Sequence, residues 1–363
     1  MAENKPGNMM PKTYNHIFDR ICDWDNLCVS FKKASKSRRY SGDVLRFRQN
    51  LEENLINIQN HLLWATWEPG PYKYFTVYEP KERMIMAPPF RDRIVHHALI
   101  NIIEPLFERK FIFDSYACRS GKGIHRSACR VRQFLRRAKS RWGCAFVLKA
   151  DISKYFPSID SSVLGGIIKK TVRDTKTLSL CEKIVFHGAE NGKGVPVGAL
   201  TSQLFANAYL DRLDHFAKDD LGLKYYLRYM DDWVVIGQSK PELRRHKTAM
   251  ENFVSETLRL KLNKKTDIFP SSHGVDFCGY RVWDTHILPR KRNVKRARKR
   301  LMAMAAKYHS GEITKHKLMS VLASFIGYMK HCASRRTIAE ILIKINKKTK
   351  GGRQCRYTHS AAR

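Results

Sequence analysis

The chain has 363 residues, with 68 Lys and Arg against 33 Asp and Glu, a formal net charge of +35. An apolar share of 43% supports real cores and excludes wholesale disorder. A charge this large calls for a polyanionic partner, and nucleic acid is expected ahead of an anionic membrane surface.

Residues 1–12 read as a loose polar start without the apolar stretch of a secretory signal. No later apolar run nears the roughly 18 residues that cross a bilayer. A soluble cytoplasmic protein is expected. Nine cysteines are scattered from Cys22 to Cys355 without CxxC spacing. They read as reduced thiols packed as small hydrophobes rather than as a disulfide or zinc framework. The run FKKASKSRR (31–39) reads as a phosphate-binding patch. Residues 42–64 carry Leu45, Phe47, Leu51, Leu55, Ile58, Leu62 and Leu63 at helical spacing, which predicts one amphipathic helix.

A strand is predicted over 73–79, closed by a turn at Pro80, then a helix over 91–108. AFVLKA (145–150) predicts a buried strand and 204–218 a helix. In KYYLRYMDDWVVIG (224–237), two β-rich runs flank Met230, Asp231 and Asp232, which predicts a hairpin with acids at its tip. A second hairpin is predicted over 276–288. From residue 290 to 300, eight of eleven residues are Lys or Arg. Helices are predicted there over 294–308, 314–330 and 335–347, before a basic, mobile tail (346–363).

Two acidic clusters stand beside apolar strand-like sequence: Asp151, directly after AFVLKA, and the pair Asp231–Asp232. An Asp–Asp pair at a hairpin tip is ordinarily a solvated turn. Here the apolar flanks make ionised acids costly unless they are paired or metal-bound. Carboxylate oxygens are the hard ligands Mg²⁺ prefers, and carboxylates from two strands can hold two ions for in-line phosphoryl transfer.

YMDD at 229–232 resembles the catalytic motif of reverse transcriptases, and the rest of that family's ordered motifs follows. APPFRDRIVHHAL (87–99) and SYACRSGKGIHRSA (115–128) resemble its two fingers motifs. KADISKYFPSID (149–160) resembles the palm motif with the first aspartate. GVPVGALTSQLFANAYLDRLD (194–214) resembles the template- and nucleotide-facing motif. LRLKLNKKT (258–266) and FCGYRV (277–282) resemble the last palm motifs. The likeness is collinear over residues 70–285. It implies an α+β right-hand polymerase fold: N-terminal extension and fingers over 1–145, palm with an interleaved fingers segment over 146–285, a basic helical thumb over 286–345, and a flexible tail over 346–363.

The resemblance also implies roles. Asp151 and Asp231 would ligate two Mg²⁺ ions with help from the Ile152 carbonyl, and Asp232 would be the supporting acid. Phe156 matches a steric gate against the 2′-hydroxyl. Arg83 matches a fingers arginine over the incoming triphosphate, where a planar, permanently charged fork suits phosphate oxygens. Val197 matches a position against the nascent pair, and Gln203 falls among the nucleotide-binding positions. Lys264 or Lys265 would protonate pyrophosphate, and the sequence does not choose between them.

Expected partners are a template RNA, the RNA–cDNA duplex and deoxynucleoside triphosphates. Group II intron and retron enzymes usually have Ser-Pro where this chain has Ser202–Gln203. The TSQ segment looks most like the reverse transcriptases of diversity-generating retroelements. That subtype implies bacterial or phage coding, a small basic accessory protein, and cDNA with errors opposite adenine. The alternatives are an antiphage-defence reverse transcriptase copying its own noncoding RNA, and a non-catalytic RNA-binding protein.

Overall fold

The computed structural model describes residues 14–78 and 82–350. The turn expected at Pro80, the polar start and the end of the basic tail lie outside the described residues. In chain order, helices α1 (Phe18–Cys22), α2 (Trp24–Ala34), α3 (Gly42–Gln49) and α4 (Leu51–Leu63) precede strands β1 (Lys73–Val77) and β2 (Arg83–Ala87). Then come α5 (Phe90–Glu108), α6 (Ile124–Trp142), β3 (Phe146–Asp151), α7 (Tyr155–Ser158), α8 (Ser161–Lys169), α9 (Thr175–His187) and α10 (Leu200–His215). The remainder is β4 (Tyr226–Tyr229), β5 (Asp232–Gly237), α11 (Lys240–Glu256), β6 (Asp267–Pro270), β7 (Val275–Phe277), β8 (Tyr280–Val282), β9 (Ile287–Pro289), α12 (Lys291–His309), α13 (Lys315–Met329) and α14 (Arg335–Lys350). The mixed α+β expectation holds. The sheets are the ribbon β1-β2, a four-stranded sheet in the order β4-β5-β3-β6, and the meander β7-β8-β9.

The chain divides into two compact units that interleave along the sequence. The first comprises residues up to 120, 150–233 and 245–266. Its central helix is α5, which buries Ile94, Val95, Ala98, Leu99 and Ile103 at helical spacing and packs on α2 and α10. Helix α10 is buried nearly all round, so it lacks a polar stripe to mark its start. It begins at Leu200, before the predicted boundary, and stops at His215, where a π-helical turn (Phe216–Asp220) takes over.

The single helix predicted over 42–64 is two. Asn50 leaves the helical region at φ −121°, ψ 57°. An Asn favours such a break because its amide competes for backbone partners. The break is sealed when the Asn54 side chain donates to the Phe47 carbonyl at 3.0 Å. Leu45 and Leu63 face solvent, while Val44, Leu55, Ile58 and Leu62 are buried.

The second unit comprises residues 121–149, 234–244 and 267 onward. Helix α6 buries Ala128, Val131, Phe134, Leu135 and Ala138 and packs on β8 and β9. The hairpin expected at 276–288 is a three-stranded meander, because Gly279 turns the chain at φ 86° and a second reversal follows, closed by Trp283 N–H donating to the His286 carbonyl. Helices α12, α13 and α14 form, as predicted, around Leu301, Ala305, Leu322, Phe325, Met329, Ile341 and Ile345. Lys295, Arg296, Arg298, Lys299 and Arg300 are exposed on α12. No helix among the described residues is long and apolar enough to cross a membrane.

One charge pair in the first unit is wholly buried. Arg228 in β4 and Asp214 in α10 are both inaccessible to water. The guanidinium donates from Nε to Asp214 Oδ1 at 2.7 Å and from Nη2 to Oδ2 at 2.6 Å. Burial opposes a charged guanidinium, but the Asp214 carboxylate outweighs it and holds the Arg228 pKa above its ordinary value. Removing one partner of such a pair strands the other's charge. Asp214→Ala is expected to lower unfolding stability by about 3–5 kcal/mol, read from urea denaturation followed by tryptophan fluorescence.

Candidate active site

The apolar strand β3 ends in Asp151, and the β4-β5 hairpin carries Asp231 in its turn. Met230 occupies the left-handed region at φ 54°, where L side chains rarely sit. Arg228 Nη1 donates to the Met230 carbonyl at 2.8 Å, so the strained turn hangs on the buried ion pair. The turn brings the Asp231 carboxyl beside that of Asp151. Burial first, and then the Asp151 carboxylate, push the Asp231 pKa up to about 6, while the Arg83 guanidinium pulls it back. Asp151, Asp231 and Arg83 therefore share one electrostatic neighbourhood. Asp232 opens β5, half-buried. Among the described residues no three acid, His or Cys groups converge as a metal-binding cluster.

After Asp151 the chain crosses a short segment of the LRLKLNKKT motif. Ile152 bridges Leu262 in antiparallel fashion, with Ser153 N–H donating to the Lys261 carbonyl at 2.9 Å and Asn263 N–H to the Asp151 carbonyl at 2.7 Å. Neither bond uses the Ile152 carbonyl. The Asn263 side chain also donates from Nδ2 to Asp151 Oδ2 at 3.1 Å. Asn263 thus fixes both the backbone and the carboxylate of Asp151. It sat inside a motif read for its lysines. The available signal was a short polar side chain closing the alternation Leu258, Leu260, Leu262. Lys264 and Lys265 are both exposed beside it.

Lys154, in the left-handed region at φ 48°, turns the chain into α7. That turn leaves Phe156 half-buried against the Tyr155 ring, 5.6 Å between centroids. The Val197 carbonyl accepts from Met86 N–H at 2.8 Å, which straps the 194–199 segment to β2. The strap needs Gly198. It lies at φ 120°, and a Cβ there would stand 2.7 Å from Ile85 Cγ2. Val197 is in this way tied to the strand that begins with Arg83. Gln203 is exposed in the first turn of α10, with no hydrogen bond or ion pair to the two acids among the described residues.

The donor set fits a hard divalent cation. Carboxylate oxygens are hard ligands, and a divalent cation held by Asp151 and Asp231 would relieve the repulsion between them.

A family model described as reverse transcriptase (RNA-dependent DNA polymerase) matches residues 78–282, more than half of the chain. The chain belongs to the reverse transcriptase family. Its fold is the right-hand polymerase fold, and its enzyme class is RNA-directed DNA polymerase. Protein YkfC of Escherichia coli is 25% identical over 272 residues, covering 62% of this chain and 70% of that protein. The group II intron-encoded protein LtrA of Lactococcus lactis is 27% identical over 175 residues, covering 46% of this chain and 28% of LtrA. The match thus spans little more than a quarter of LtrA. The solved structure of telomerase from Candida albicans with a telomeric RNA fragment aligns at TM-score 0.48 and 11% identity, over 82% of this chain and 65% of that one.

Two predictions follow from the acid pair. Asp231→Asn removes the like-charge repulsion, so in EDTA it is expected to melt at the same temperature as the parent or a few degrees higher, while DNA synthesis falls to a few per cent or less. A lower melting temperature would contradict the geometry. Asn263→Ala frees the Asp151 carboxylate and is expected to lower kcat about tenfold, with KM for nucleotide nearly unchanged, in primer-extension kinetics.

Proposed function

We propose that this reverse transcriptase copies a template RNA into cDNA within a diversity-generating retroelement, with errors concentrated opposite template adenine. The polymerase reading rests on the proximity of Asp151 and Asp231, two acids that the end of β3 and the β4-β5 turn bring into one electrostatic neighbourhood. A non-catalytic RNA-binding protein would have no need to maintain that repulsive pair. In the reaction the primer 3′-hydroxyl attacks the nucleotide's α-phosphorus, a phosphodiester bond forms, and pyrophosphate leaves.

Two Mg²⁺ ions, held by Asp151, Asp231 and the Ile152 carbonyl with Asp232 in support, would neutralise the triphosphate and ease deprotonation of the hydroxyl. The chain's own residues do the rest. Arg83 grips phosphate oxygens, and Phe156 fills the space a 2′-hydroxyl would need. Gln203 helps hold the nucleotide, and Val197 borders the nascent pair, where a small change of shape shifts discrimination between correct and incorrect pairs. Asn263 keeps Asp151 aimed. The exposed cations of α12 hold the RNA–cDNA backbone without reading sequence. The fingers, palm and thumb boundaries given above are the working assignment, and a small basic accessory protein completes the partner set.

The subtype reading rests on Gln203 following Ser202, where intron enzymes usually carry Pro. The test is deep sequencing of cDNA made on one fixed RNA by the parent, Val197→Asn and Arg83→Ala proteins. Parent errors are expected mainly at template adenine, and both variants are expected to change that rate more than errors at the other bases. Uniformly low parent errors would overturn the diversification reading and favour an antiphage-defence enzyme copying its own noncoding RNA, whose TSQ-like motif is shared.

A further inference from the structure

We infer that the cleft formed by α2, α3 and α4 is a binding site for an unstacked nucleotide of single-stranded RNA, separate from the acid pair. The choice of RNA as ligand rests on the polymerase reading. The cleft has a volume of about 500 Å³, within the range of sites that enclose small ligands. Phe31, Leu51 and Leu55 supply its apolar surface, and Lys32, Arg39 and Arg48 its cations. No carboxylate lines it.

The two kinds of lining discriminate together. A basic patch alone binds the phosphates of any duplex or strand. An apolar groove alone takes hydrophobic protein or lipid. Three cations around an aromatic and aliphatic floor suit a ligand that presents a flat π-face and a phosphate at once. Among nucleic acids an unpaired nucleotide offers both, because in an A-form helix the base faces are stacked away.

The floor is also prepared for stacking. The Phe31 ring is braced by Phe47, stacked with centroids 5.9 Å apart, and by Phe90, edge-on at 6.0 Å. Phe47 and Phe90 in turn meet edge-on at 5.3 Å. A ring already immobilised by its neighbours loses little freedom when a base settles on it. The cations are exposed, so they can reach a backbone passing outside. The FKKASKSRR segment thus has a directional role: it engages a strand with its bases splayed.

The test uses the full chain and a short single-stranded RNA carrying 4-thiouridine, with crosslinked peptides identified by mass spectrometry. A hairpin duplex of the same length is the comparison, and anisotropy gives affinities. Crosslinks are expected within residues 28–55 of the parent and of the Asp231→Asn protein. Phe31→Ala should abolish them. Because that change could loosen the aromatic triad, Arg39→Gln with Arg48→Gln, confined to the exposed rim, is measured alongside. The rim double variant should lose about tenfold in single-strand affinity and clearly less in duplex affinity. Three results would overturn the site: no crosslink within 28–55, equal loss for strand and duplex, or displacement of the RNA by polyglutamate at equal charge concentration. DNA synthesis by the parent is measured separately. Its absence would count against the polymerase reading, while the crosslink map would still decide the cleft.

Discussion

A guanidinium sealed from water must find acceptors for all its N–H groups inside the protein, and Arg228 draws its neighbours into place to meet that demand. Beyond Asp214, it donates to Asn207 Oδ1 at 3.2 Å and to Ser115 Oγ at 3.2 Å, and Tyr226 Oη donates to the same Asp214 carboxylate at 2.7 Å. Asn207 passes the constraint on by donating to the Ala117 carbonyl at 2.8 Å. Backbone bonds from Arg228 N–H to the Asp114 carbonyl and from Tyr116 N–H to the Arg228 carbonyl lay the 114–116 segment beside β4. One buried charge thereby indexes α10, the loop after α5 and the acid-bearing hairpin to each other. The left-handed Met230 is held at the end of this network, so the placement of Asp231 is inherited from a core interaction rather than from the turn itself.

The opposite logic governs the acids. Arg228 and Asp214 satisfy each other, whereas Asp151 and Asp231 face each other with like charge. Such an arrangement persists only because β3, β5 and the Asn263 segment over-determine it. The fold thus keeps the mutually satisfied Arg228–Asp214 pair in the interior and the like-charged Asp151–Asp231 pair where β3 ends and the β4-β5 hairpin turns, within the field of Arg83. Asp160 illustrates the former case within the motif that contains Asp151. It caps α8 through Ser162 and Val163 N–H groups and pairs with Arg259 at 3.0 Å.

Much of this was legible from residue order. The YMDD hairpin, the strand before Asp151 and the three basic helices after residue 290 were all readable, because local β-rich runs and helical spacing coincide there with the final structure. The break at Asn50 was hidden by an unbroken apolar spacing on both sides, which periodicity alone cannot interrupt. Helix α6 was legible but overlooked: Ala128, Val131, Phe134, Leu135 and Ala138 recur at helical spacing beneath many arginines. Asn263 and the Arg228 network depend on tertiary neighbours distant in sequence, Asp151 in one case and Asp214 and Asn207 in the other. The one local hint was an arginine inside the otherwise apolar KYYLRY, a charge that needed a partner somewhere.

The ribbon β1-β2 has a different standing from the rest of the first unit. Every residue of β1 is exposed, and Tyr74, Phe75 and Met84 present large side chains to solvent. A lone two-stranded hairpin is marginally stable in water, and contacts that anchor this one include the Met86–Val197 bond and the close approach at Gly198. Arg83 rides on its second strand. The cation facing the acid pair is thus carried by an exposed two-stranded element, the kind that opens locally more readily than a packed core. Occupancy by an anion would then be coupled to ordering of the ribbon, and part of the intrinsic binding free energy would be converted into closure. In such a device, affinity for the ligand and the rate of its escape are set by the folding equilibrium of ten residues as much as by the charges they carry.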